Sequence, residues 1–129
     1  MRMKHWLVAA ALCAVAPTAR AAVTEDSFLV RNTGDLVDLC TVAQSDPFYT
    51  AASNFCQGFA AGVYRVLEVE IKAQRTGRLF CPPDKPVTRN DAIASFVQWA
   101  KANPDQMSLQ APDGIARFLS QTYPCPRGR

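Results

Sequence analysis

The chain has 129 residues, with fourteen basic and eleven acidic side chains, a formal net charge of +3, five cysteines and a single histidine. The positive excess resides in the first 21 residues, which carry Arg2, Lys4 and Arg20; beyond them eleven basic side chains face eleven acidic ones. A neutral remainder lacks both the basic footprint that neutralises nucleic-acid phosphates and the polybasic patch that holds a membrane surface, so neither is an expected partner.

The N-terminus joins charged residues to the apolar run Trp6–Ala16 and closes on the small-x-small pattern Ala19-Arg20-Ala21. This predicts a cleavable secretory signal peptide over 1–21. The run is far shorter than the ~20 apolar residues needed to span a bilayer core. Leu12 occupies the place before Cys13 where a lipoprotein site needs a small residue, which argues against lipidation. Residues 22–129 then form one domain. Its four cysteines, Cys40, Cys56, Cys81 and Cys125, are an even set in a short exported chain and read as structural disulfides. None is spaced Cys-x-x-Cys, which removes a thioredoxin-like redox pair and a zinc knuckle. No metal and no cofactor is expected.

Residues 22–31 contain Phe28-Leu29-Val30 without periodicity and read as an apolar tether. Asn32 is an N-cap candidate, and Leu36, Val37, Cys40 and Ala43 follow at helical spacing, predicting a first helix over 33–43. Ser45-Asp46-Pro47 ends it and starts a second, because a proline in the first turn forfeits no hydrogen bond. From 48 to 75 an apolar stripe of Phe55, Cys56, Phe59, Ala60, Val63, Val66, Leu67 and Ile71 predicts a helix about 40 Å long, the spine of the domain. Lys72 and Arg75 suit its C-terminal dipole, and Gly77 suits its cap.

Cys81-Pro82-Pro83-Asp84-Lys85-Pro86 cannot be helical and reads as a stiff connector. Thr88-Arg89-Asn90-Asp91 resembles a capping box and opens a third helix, with Ile93, Phe96, Val97 and Ala100 on one face. It stops near Asn103 because Pro104 disfavours helical geometry in the preceding residue. A last helical stretch over 105–122 carries Leu109, Ile115, Ala116, Leu119 and Tyr123 on its inner side. Ala111-Pro112-Asp113-Gly114 interrupts it, either as a type I turn or with Pro112 opening a new helix; a kink or break is expected. The fold class is therefore all-α, a compact bundle of four to five helices with two disulfides.

The only histidine, His5, lies in the signal segment, so the domain has no Ser-His-Asp triad, Cys-His nucleophile or HExxH zinc site. Asp35 with Asp38 suits a helix first turn better than catalysis, and Glu68 with Glu70 do not share a helix face. No phosphate-cradling glycine loop occurs. An enzyme is not expected. Gly58-x-x-x-Gly62 permits either close approach of another helix within the fold or a homodimer contact. Trp99 is either core or an interface anchor.

The landmarks Asn32-Thr33-Gly34-Asp35-Leu36 with Cys40, Phe55-Cys56-x-Gly58-Phe59-x-x-Gly62-Val63, Phe80-Cys81-x-Pro83, Asn103-Pro104 and Tyr123-Pro124-Cys125 resemble those of the Rap/Tai family. These are the resistance-associated and type VI secretion amidase immunity proteins, and the resemblance covers about 28–125. It implies a periplasmic helical immunity protein, often a homodimer, that binds a peptidoglycan amidase toxin and occludes its cleft. Chain order pairs Cys40 with Cys56 and Cys81 with Cys125, although four cysteines leave three connectivities open. The turn Asn103-Pro104-Asp105-Gln106, with Trp99, is the expected toxin contact. A small periplasmic acid-stress chaperone is the alternative, and it should loosen in acid as carboxylates protonate.

Overall fold

Asn32 opens the first helix, α1 (Thr33–Cys40), by accepting the Asp35 N–H at 2.9 Å, while the Asp35 carboxylate accepts the Arg31 N–H, also at 2.9 Å. The computed structural model describes residues 22–73 and 78–126. The expected signal peptide over 1–21, and Arg75 and Gly77 with their expected roles at the end of the second helix, lie outside the described residues. α1 stops at Cys40, three residues short of the expected end, because the Thr41 hydroxyl donates back to the Val37 carbonyl at 2.8 Å. Asp46 then forms a turn, its carboxylate accepting the Phe48 N–H and its carbonyl the Tyr49 N–H, and this turn launches α2 (Tyr49–Lys72). Thr88 caps α3 (Arg89–Ala102), accepting the Asp91 N–H and donating its hydroxyl to the Asp91 carboxylate at 2.6 Å. A 3-10 helix, Pro104–Ser108, leads into α4 (Ala111–Thr122).

The expected all-α bundle with two disulfides is present, pairing Cys40 with Cys56 and Cys81 with Cys125. Those bridges close loops separated by 16 and 44 residues. On the loop-entropy argument they contribute about 3 and about 4 kcal/mol.

Beyond the early end of α1, two elements differ from the sequence expectation. The supposed tether is a 3-10 helix, Glu25–Leu29, that wedges Phe28 edge-on against Phe48 and Phe55, at 5.9 and 5.6 Å. Val23 and Val30 beside it are buried, and burial holds Val30 in the left-handed region at φ 44°, an uncommon place for a β-branched residue. The expected break in the last helical stretch is present, at Leu109–Gln110, and of the two alternatives Pro112 opens a new helix, sitting in the first turn of α4 where it needs no donor.

The second of these differences concerns the spine. α2 has 24 residues but only Ala52 and Cys56 are fully buried. The eight-residue α1 is the central element instead, packing against all three other α-helices and both 3-10 helices. Its Leu36 and Leu39 are wholly inaccessible, as is Thr33. The core closes around them with Phe80, Phe96, Val97, Ile115, Phe118 and Leu119. Phe118 had no place among the expected inner residues, yet it packs edge-on to Phe96 at 5.6 Å.

Thr33 joins α1 to α4. Its N–H and its hydroxyl both donate to the Leu109 carbonyl, at 2.7 and 3.1 Å, and Gly114 lies directly against it. A Cβ at Gly114 would stand 2.1 Å from the Thr33 hydroxyl. Gly114→Ala should therefore cost about 2 kcal/mol by overpacking and loss of the Thr33 bond. Thr33→Ala removes the obstructing hydroxyl, so the two substitutions together should cost less than their sum in urea denaturation; strictly additive costs would show that the contact does not couple them.

Candidate functional site

Asn103–Gln106 forms one compact turn at the end of α3. The Asn103 amide donates to the Trp99 carbonyl at 2.8 Å, its backbone N–H to Ala100, and its carbonyl accepts the Gln106 N–H at 2.9 Å. The Gln106 side-chain amide donates to the Asp105 carboxylate, while Gln106 Oε1 is buried without a hydrogen-bond partner among the described residues. Pro104 and Asp105 are exposed at the tip. Trp99 lies one turn back along α3, half-buried between Phe96 and Phe118, with its indole N–H donating to Gln121 of α4 at 2.8 Å. That donor is already engaged, and the ring ties α3 to α4. The structure thus places Trp99 and Asn103–Gln106 side by side at the end of α3, with Pro104 and Asp105 the exposed side chains of the turn.

The outer face of α2 is the second surface. Gly58 and Gly62 are exposed, and a Cβ built on either meets nothing within 4 Å. Close approach of another helix within the fold is therefore not what these glycines serve. They share a shallow apolar groove of about 730 Å³ with Phe55, Phe59, Val63 and Val66 of α2, bounded by Pro112, Asp113 and Ala116 of α4. Val66 was expected on the core stripe but is 62% exposed, at the groove that α2 forms with α4. Val69, one turn further, is 60% exposed. The signal for this face was in the sequence as the Gly-x-x-x-Gly spacing, but not the direction in which it points.

Chemistry on either surface is sparse. All four described cysteines are in disulfides, and among the described residues no group of three His, Cys, Asp or Glu side chains could hold a metal ion. Asp35 is committed to the start of α1. Glu68 accepts from Arg65 at 2.8 Å and from Lys72 at 3.3 Å, and those two hydrogen bonds hold its carboxyl below its ordinary value of 4.5. No helix among the described residues is long and apolar enough to cross a membrane.

Residues 32–125 match the family model of the Rap1a immunity proteins, a span that takes in all four helices and both disulfides. No curated protein and no solved structure matches the chain.

Glu68 gives a pH expectation. Its folded value lies below the unfolded one, so what its ion pairs add to α2 is fully present above pH 4.5 and is lost as pH falls through the lowered folded value. Acid titration of stability should show this limb in the unaltered protein and a flatter one in Glu68→Gln, with the difference small and shrinking in high salt. Identical acid limbs would dismiss the pairing as energetically silent.

Proposed function

We propose that this chain, which belongs to the family of Rap1a immunity proteins, is a periplasmic immunity protein that binds a peptidoglycan amidase toxin delivered by a type VI secretion system and occludes its active-site cleft. The observation that carries the reading is the family match across the whole disulfide-linked bundle. The family implies a toxin-binding protein that acts as an inhibitor and not as a catalyst. A stoichiometric inhibitor needs a pre-organised surface, since each side chain or loop ordered on binding subtracts from affinity. Two cross-links and a central buried helix provide that rigidity.

The amidase and the secretion route follow from the Rap/Tai resemblance, and export is supported by the Ala19-Arg20-Ala21 pattern together with disulfides that persist in oxidising compartments. The toxin meets the Asn103–Gln106 turn, with Pro104 and Asp105 leading. Loops held on a rigid scaffold are common places for such contacts. The apolar α2 face around Gly58 and Gly62 is where a second copy packs, because the glycines let a helix backbone come close and Val66 and Val69 are otherwise left in water.

The test uses the oxidised protein as bait against a panel of cell-wall amidases, scoring complex formation and loss of hydrolysis. A tight complex that blocks hydrolysis is expected, and Asp105→Arg should weaken it about tenfold or more with no change in melting temperature. If no amidase binds while the protein suppresses aggregation of acid-treated clients, the immunity reading falls and a chaperone takes its place. In sedimentation, Val66→Glu should convert a dimer to a monomer of unchanged helicity; an unaltered protein that is monomeric at every concentration removes the homodimer.

A further inference from the structure

The connector between α2 and α3 forms one wall of a cleft. Pro82, Pro83 and Pro86 stiffen it. One end is fixed by the Cys81–Cys125 bridge and by the Cys81 N–H donating to the Tyr123 carbonyl at 2.8 Å. The other end is fixed by Thr88, the N-cap of α3. A segment anchored at both ends and unable to become helical does not collapse onto the bundle, and residues 82–90 are exposed throughout.

The space between this strap and α2, α3 and α4 measures about 400 Å³. That falls within the range of small-molecule sites, about 300–1,000 Å³. Its apolar lining is offered by Ala60, Ala61, Ile93, Val87 and the strap prolines, over a base of core residues such as Phe80, Phe96 and Phe118 that are themselves nearly inaccessible. Its charged lining is of one sign: Arg65, Lys85 and Arg89 border it and no acidic side chain does. Arg65 is committed to Glu68, whereas Lys85 and Arg89 have no ion-pair partner among the described residues. Tyr64 and Tyr123 also line the cleft, and their hydroxyls make no hydrogen bond to described residues.

We infer that this cleft binds a single-chain anionic amphiphile, a medium-chain fatty acid being the simplest example. The acyl chain lies along the apolar lining between the strap and Ile93, and the carboxylate meets Lys85 and Arg89 at the strap. A wholly polar anion would leave that lining wet, and a cationic amphiphile would face two unpaired cations. The cleft shares no residue with the Asn103–Gln106 turn and none with Gly58 or Gly62, so the inference stands apart from toxin binding.

The experiment titrates the oxidised protein with dansyl-labelled undecanoic acid and displaces the probe with dodecanoate, with dodecyltrimethylammonium, or with vesicles of phosphatidylglycerol. Saturable one-to-one binding is expected, reversed by monomeric dodecanoate and not by the cation of equal chain length. Lys85→Glu combined with Arg89→Glu should weaken binding about tenfold or more while leaving the circular dichroism unchanged, since both side chains are exposed. Absence of saturable binding, equal displacement by the cation, full retention by the double variant, or association with vesicles without displacement by dodecanoate would each overturn the inference.

Discussion

The rest of the structure depends on one carbonyl. Leu109 lies in the short link before α4, and its oxygen receives both the backbone N–H and the hydroxyl of Thr33. Thr33 is the first residue of α1, and the first N–H groups of a helix have no partner within it. Burying the Thr33 N–H and hydroxyl, as this fold does, would be costly without an acceptor from elsewhere in the chain. The acceptor comes from 76 residues away, and it fixes where α4 begins relative to α1. Gly114 is the other half of the constraint, because only a residue without a Cβ lets α4 pass this close.

With α1 locked in the middle, the remaining elements are arranged by what they cover. The 3-10 helix Glu25–Leu29 closes one side through Phe28. α3 and α4 interlock through Phe96, Trp99 and Phe118, and Tyr123 continues the aromatic cluster. α2 is much longer than α1 can cover, and it is tied by Cys56 near its start. Val66 and Val69 on its outer side are therefore left largely exposed, and among the described residues the domain carries an apolar face around Gly58, Gly62 and Val66.

An immunity protein is well served by this arrangement. Its ordered side chains are spent on the core, on helix caps and on bridges between helices, and little reactive chemistry is left on the surface. Asp35, Thr88 and Asn103 are polar residues that serve helix ends, and Trp99 gives its indole donor to Gln121. What the surface offers instead is shape: a turn with Pro104 and Asp105 at its tip, an apolar helix face, and a cleft walled by a proline strap.

Much of this was legible in the sequence because its signals are local. The caps at Asn32 and Thr88, the proline connector and the four principal helices rest on residues within a few positions of one another, and helices and turns are governed at that range, while the disulfides were legible from the even cysteine count alone. The turn at Asn103–Gln106 was legible for the same reason. Periodicity could say that α2 has an apolar stripe, but not how wide a strip of it another helix would cover, so Val66 was misplaced and α2 was taken for the spine. Nor could it separate the two meanings of Gly58 and Gly62, since a glycine facing a neighbour and one facing water look alike in a sequence. The central position of α1, the hold of Leu109 on Thr33, the need for glycine at 114 and the cleft beneath the strap were decided only by tertiary structure. Each depends on groups far apart in the chain meeting within a few ångströms, and that distance is set by packing, on which no local pattern reports.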